Sequence, residues 1–227
     1  MPYTYFNYSN RPDFVKESLD IVILEREELN LRALKEVNGI TEKAKKEGMG
    51  RIRASVRCGN RIAFSEPEGD TEHVTVWDLS GDHSDIKDVN ALLHLAAYKN
   101  DPNIRTIVQS RPVTIDGLIK EGKTLPALTP DFVALLHQKE PLILSDAKGE
   151  DMQTLLAKEL RAKPKQPLTE ADIRAGRIQL IGHSAILSKE YGVFTAGTNP
   201  LEAYYRAKIV EDTAKTYRTA EIGRAHV

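Results

Sequence analysis

The chain has 227 residues, of which 41% are hydrophobic and 29% charged, and its formal net charge is −1. That length and balance describe one soluble globular core, and the near-neutral charge excludes the broad electrostatic footprint that nucleic acid or an anionic membrane requires. The lone Cys58 excludes an intrachain disulfide and a cysteine-cluster metal site, while the absence of a leader-like start or a roughly 20-residue apolar run makes a cytoplasmic location the expectation.

The aromatic opening, Tyr3, Tyr5, Phe6 and Tyr8, is expected to pack on a neighbouring surface. From Leu24 to Gly48 charged and apolar residues interleave with Leu29, Leu34, Val37, Ile40 and Ala44 on one helical face, and Gly39 marks a place where that helix could break. Arg51 to Arg57 alternates as a strand, Cys58-Gly59-Asn60 is a turn, and Arg61 to Ser65 returns, which predicts a hairpin. An acidic loop, Glu66 to Glu72, leads to a strand at His73 to Leu79. A helix over Asp85 to Tyr98, a strand over Ile104 to Val108, and short helices over Ile115 to Lys120 and Pro130 to His137 follow. Pro141 to Leu144 is a buried strand, Asp151 to Ala162 an amphipathic helix, and Lys163 to Gly176 a polar excursion with one helical turn at Glu170 to Arg174.

Strands at Ile178 to Ile181 and Ala185 to Leu187 bring the chain to its most telling stretch. Val193 to Ala196 is a short buried strand, Gly197 permits a tight turn, and Asn199 caps a helix with Pro200 in its first turn and Glu202 where a capping box wants an acid. That helix runs to about Tyr217. The last residues, 221–227, read like the translation of a sequencing adapter, so they are expected to be artefactual, and His226 is given no functional weight. The chain thus divides into an N-terminal extension 1–23, a domain 24–220 and that tail.

The segment Gly192, Gly197, Glu202, Ala203, Glu211 and Ala214 resembles the closing pattern of the class II aldolase/adducin family, H-G-x-x-x-x-G-x-x-x-x-E-A with a later E-x-x-A. Tyr191 stands where the family has a metal-binding histidine. The resemblance extends from about Leu34 to Thr216 and implies a three-layer α/β/α fold with a central, largely antiparallel sheet. It also implies a homo-oligomer, commonly a homotetramer with sites between subunits.

Active members hold zinc with an H-x-H pair and the late histidine, use a glutamate as acid/base, and grip a substrate phosphate with a glycine-asparagine loop and a T-P-S-G turn. Neutral imidazoles that leave an open position let the metal polarise a carbonyl, and N–H groups with hydroxyls bind phosphate without repelling it. Here the pair becomes Gln109 and Arg111 around Ser110. His94 and Tyr98 match the family's H-x-x-x-Y, which puts Asn90, an amide with no useful titration, at the glutamate position. The phosphate turn becomes Glu66-Pro67-Glu68-Gly69, and at an effective dielectric of about 20 an anion about 4 Å from one such carboxylate is repelled by roughly 4 kcal/mol. The glycine-asparagine loop is eroded to Gly50-Arg51-Ile52-Arg53, where either arginine meets an anion or both lie on a solvated strand face.

The losses agree with one another, so the chain is expected to be a degenerate member without zinc or another cofactor, binding a small acidic or carbohydrate ligand or a protein partner, as the adducin head domain illustrates. Gln109, Ser110, Arg111 and Tyr191 form the candidate ligand site, with Asn90 beside them. Arg111 either forks onto an acidic ligand or pairs with a local acid, Glu190 being one candidate. The alternative is an active zinc-dependent sugar-phosphate aldolase or epimerase with His183 as a ligand, or a metal-free lyase or isomerase using Arg111 and Tyr191. A third reading is a companion subunit of an active paralogue. His73 and His83 have no partner at metal-ligand spacing, and Ser110 and Ser184 lack a nucleophile elbow.

Overall fold

Strands with apolar residues on both faces order this molecule, because a sheet of that kind must be covered by helices on both sides. A computed structural model describes residues 13–49, 52–68, 71–136, 144–163 and 182–225. The aromatic opening, the helical turn expected at Glu170 to Arg174 and the strand expected at Ile178 to Ile181 lie outside the described residues.

The elements in chain order are α1 (Asp13–Lys46), β1 (Ile52–Cys58), β2 (Arg61–Glu68), β3 (Thr71–Asp78), α2 (Val89–Asn100), β4 (Thr106–Ser110), α3 (Val113–Lys120), α4 (Pro130–Leu136), β5 (Leu144–Ser145), α5 (Gly149–Glu159), β6 (Ala185–Ser188), β7 (Gly192–Gly197) and α6 (Pro200–Ala225). The strands form a seven-stranded sheet in the order β3-β2-β1-β4-β7-β6-β5. β5 pairs parallel with β6, so the sheet is mixed, which corrects the expectation of a largely antiparallel one. The other neighbours pair antiparallel.

Alternation along the strands assigns the faces. Ala54, Val56 and Cys58 of β1 with Ala63 and Val108 meet Ala33, Val37, Ile40 and Ala44 of α1 and Tyr204 and Ala207 of α6. Ile62, Ile107, Phe194 and Ala196 point the other way, into Leu93 and Tyr98 of α2 and Met152 and Leu156 of α5. α3 and α4 extend the first layer through Leu118 and Phe132, which pack with Val210 and Ala214 of α6. Among the described residues no helix is long and apolar enough to cross a membrane.

Several elements differ from expectation, among them α2, which starts at Val89 and not at Asp85, and α5, which spans Gly149–Glu159. α1 begins at Asp13 and continues through Gly39, where no atom lies within 4 Å of a built Cβ, so the glycine costs only helix propensity, about 1 kcal/mol. The acidic stretch is mostly strand: β2 runs to Glu68 and pairs with β3 from Thr71, as Glu66↔His73 and Pro67↔Glu72. α6 passes Tyr217 and ends at Ala225.

The β7 to α6 junction forms as its residues dictate. Asn199 Oδ1 accepts from the Glu202 N–H at 2.9 Å, and Glu202 Oε2 accepts from the N–H and hydroxyl of Thr198 at 2.6 and 2.7 Å. A Cβ on Gly197 would sit 2.5 Å from the Ala203 nitrogen, so only glycine admits this approach. Arg206, 1% exposed, clamps the junction by donating to the carbonyls of Leu135, Ala162 and Ala196 and by pairing with Glu202 at 2.7 Å.

Candidate functional site

Where β1 begins and β4 ends, the paired strands meet the start of α2 and the β6–β7 turn around a cleft. The resulting cleft has a volume of about 410 Å3 and is lined by Ile52, Arg53, Asn90, Gln109, Ser110, Arg111, Glu190 and Tyr191. Asn90, Gln109, Ser110, Arg111 and Tyr191, singled out from sequence, therefore converge. Register makes this happen: Arg53 lies opposite Gln109 and Ile52 opposite Ser110, and β7 pairs with the far side of β4 through Ser110↔Val193. Gly192, at φ +83°, lets the β6–β7 turn settle on the end of β4, where a Cβ would run into the Ser110 carbonyl.

A directional chain of hydrogen bonds orients the amides. Asp88 caps α2, and its Oδ1 accepts from the Asn90 N–H and from Asn90 Nδ2, both at 2.9 Å. A carboxylate only accepts, so Asn90 must turn its amino group to Asp88 and its oxygen toward β4. That oxygen accepts from Gln109 Nε2 at 2.8 Å, and the same nitrogen donates to the Tyr191 carbonyl at 2.9 Å. Three buried polar groups have no hydrogen-bond partner among the described residues: the acceptor Gln109 Oε1, the Ser110 hydroxyl and the Arg53 Nε–H donor. Three such atoms around one cleft are groups that a ligand or water completes.

Beneath the cleft the polar groups are closed to solvent. His94 Nδ1 and Ser55 Oγ share a hydrogen bond of 2.7 Å, and the Tyr98 hydroxyl donates to the Ser55 carbonyl at 2.8 Å and lies 2.9 Å from its Oγ. Burial pushes the His94 pKa down to about 3, against a raising contribution from Gln109 and with a smaller lowering one from Arg53. The imidazole is therefore neutral at pH 7 and acts as a structural wedge under Gln109.

Arg111 is committed at the rim. Its Nε donates to Asp116 at 2.7 Å, Nη1 to the Glu190 carbonyl and Nη2 to the Lys189 carbonyl at 3.3 Å. Its acidic partner is thus Asp116 on α3, and not the Glu190 carboxylate, which lies 3.2 Å from Lys148. The Tyr191 hydroxyl accepts from the Gly149 N–H at 3.1 Å, which anchors it to the start of α5. Arg53, whose strand-face reading was the plainer one, stands in the cleft wall; the signal was its cross-strand place opposite Gln109.

His183 lies elsewhere. It bridges Leu160, exchanges backbone hydrogen bonds with Glu159 and Arg161, and lines none of the cleft, while burial lowers its pKa. His83 Nε2 is 2.8 Å from the Asp78 carbonyl. Glu66, Pro67 and Glu68 end β2, while Gly50, Arg51 and Gly69 lie outside the described residues. Among the described residues no three His, Cys, Asp or Glu side chains gather as a metal site would need.

Zinc requires neutral imidazoles, thiolates or carboxylates. The cleft lining holds one carboxylate, Glu190, which lies 3.2 Å from Lys148, and otherwise offers a carboxamide nitrogen already donating twice, a guanidinium cation and a phenol held by a backbone N–H. This donor set does not fit the metal.

The sequence profile of the class II aldolase and adducin N-terminal domain matches residues 62–218. No curated protein matches the chain. Among solved structures, the chain is similar to l-fuculose-1-phosphate aldolase from Thermus thermophilus, with a TM-score of 0.61 at 16% identity over 84% of this chain and 95% of that one. The YgbL protein from Escherichia coli superposes with a TM-score of 0.55 at 18% identity, over 83% of this chain and 88% of that one. A sugar-phosphate aldolase from Thermotoga maritima gives a TM-score of 0.52 at 15% identity, over 88% and 97%. At such identities these likenesses establish the fold alone.

Proposed function

The chain belongs to the class II aldolase and adducin family, and from that premise we propose that it performs no zinc-dependent aldol cleavage and holds a small hydroxy acid in its cleft. The observation that carries this reading is the set of buried, unpaired polar atoms on residues that line the cleft: Arg53 Nε and Ser110 Oγ, which suit a carboxylate, and Gln109 Oε1, which suits a hydroxyl donor. Arg111, half-exposed at the rim, adds positive charge and donates to the Glu190 carbonyl.

Three replacements support the absence of the lyase reaction. Asn90 carries no removable proton, Gln109 turns its amino group to Asn90 and Tyr191, and a cation stands at 111. A homo-oligomer, or an assembly with an active relative, is the expected setting.

Calorimetric titration with glycerate and a four-carbon sugar acid tests the proposal. Saturable binding that Arg53→Gln abolishes and Arg111→Ala weakens, with folding intact, is the expected result. Titrations without heat for both acids sink the hydroxy-acid assignment, and turnover of a sugar phosphate by the purified chain sinks the loss of catalysis.

A further inference from the structure

Both ends of the β1–β4 pair open onto cavities. The cleft occupies one end. At the other, a cavity of about 400 Å3 is walled by Leu29 and Arg32 of α1, Arg57 of β1, and Ile104 and Arg105 just ahead of β4. The two cavities share no residue.

Charge does not balance at this second cavity. Glu36 serves two of its three guanidiniums: Arg105 Nη2 donates to both carboxylate oxygens, at 2.6 and 2.8 Å, and Arg32 Nε to one of them at 3.1 Å. The neighbouring Asp101 is 4% exposed and spent on other donors, the N–H and amide of Asn103 and the N–H of Ala162. Arg57 has no carboxylate partner among the described residues. Its Nε donates to the Gly59 carbonyl at 3.1 Å, and its buried Nη1 has no hydrogen-bond partner there.

We propose that this cavity is a second ligand site that takes the phosphate group of a small phosphorylated molecule, with Arg57 as the principal contact and Arg32 and Arg105 supplying the surrounding field. A phosphate monoester carries a charge of about −1.5 to −2 near neutral pH and three strong acceptor oxygens, which suit a cavity where three guanidiniums outnumber the carboxylates and one of them lacks an acidic partner. Guanidinium forks bond pairs of phosphate oxygens, so arginine is the side chain such a site requires. Leu29 and Ile104 give the carbon skeleton an apolar wall, and the volume suits a ligand of that size.

The test uses the full chain, with inorganic phosphate and glycerol 3-phosphate as calorimetric probes. Because the cleft also carries arginines, the titration is run on wild type, Arg53→Gln, Arg57→Gln and the double variant. The expected result is saturable binding that survives Arg53→Gln and weakens about tenfold or more with Arg57→Gln, since a charged hydrogen bond is removed. Arg32→Gln, at a side chain 62% exposed and so harmless to folding, weakens binding severalfold and covers the case in which Arg57→Gln unfolds. Binding lost with Arg53→Gln and indifferent to Arg57 and Arg32, or no saturable binding of either probe, overturns the proposal. Neither result depends on the hydroxy acid expected in the cleft.

Discussion

Helix α2 carries Asn90, His94 and Tyr98 at four-residue spacing, so all three descend one side of it, yet its two ends behave differently. His94 and Tyr98, each 1% exposed, lock Ser55 of β1 from within the core. Asn90, one turn earlier, sits on the cleft wall and passes a hydrogen bond from Gln109 to Asp88. In the register expected from the sequence, the buried pair keeps the family's residues and the cleft residue departs from them. The difference shows where chemistry is free to change: a group closed off from water must keep its partners or the fold suffers, while a rim group loses one or two hydrogen bonds that water replaces.

Substitutions on the two sides should therefore separate by size. Gly192→Ala attacks the frame most directly, placing a Cβ at φ +83° against the Ser110 carbonyl, and should cost about 3 kcal/mol or more in a denaturant titration. A cost below about 1 kcal/mol would mean the β6–β7 turn is not seated on β4 as described.

His94 predicts a pH dependence whose sign is fixed. Its folded pKa near 3 lies below the ordinary 6.5, so between those values the unfolded chain binds a proton that the folded chain refuses. The contribution is intact above about pH 6.5 and is lost by about 1.4 kcal/mol per pH unit as pH falls toward 3. His94→Gln should flatten the stability-against-pH slope over that window by this amount. Parallel slopes for the two proteins would place the imidazole in contact with water and erase the distinction between its end of α2 and the cleft.

Tyr98→Phe removes the hydroxyl bonded to Ser55 and should cost about 1 to 3 kcal/mol by thermal or chemical denaturation. Arg111→Ala should come out smallest, below about 1 kcal/mol, because its bridge to Asp116 is 44% exposed on the arginine side and screened by solvent. If Arg111→Ala destabilised as much as Tyr98→Phe, the guanidinium would be part of the frame and its ligand role would weaken.

Much of this was legible in the sequence because local chemistry and tertiary demand agreed. Asn199, Pro200 and Glu202 specify a helix start that packing keeps, and Cys58-Gly59-Asn60 specifies the β1–β2 turn. The convergence of Asn90, Gln109, Ser110, Arg111 and Tyr191 was readable because His94 and Tyr98 anchored the register along α2.

What was not legible depended on distance in space. The charges and proline of residues 66–72 resemble a loop, yet residues 66–68 of β2 pair with residues 71–73 of β3. The parallel pairing of the two-residue β5 has no local signature at all. Arg111 takes Asp116 as its partner because α3 begins three residues after β4 and carries that carboxylate back over the strand end, a geometry that spacing alone does not disclose. Nothing in the local sequence marks Arg206 as buried; the clustered carbonyls of Leu135, Ala162 and Ala196, with Glu202, explain it.

The measurement that bears most directly on the proposed loss of the metal site is the zinc content of the purified, tag-free protein, taken by elemental mass spectrometry after incubation with zinc and extensive dialysis. The donor set of Gln109, Arg111 and Tyr191 predicts no stoichiometric retention. Near one zinc per chain would contradict it, and would require ligands other than those that line the cleft.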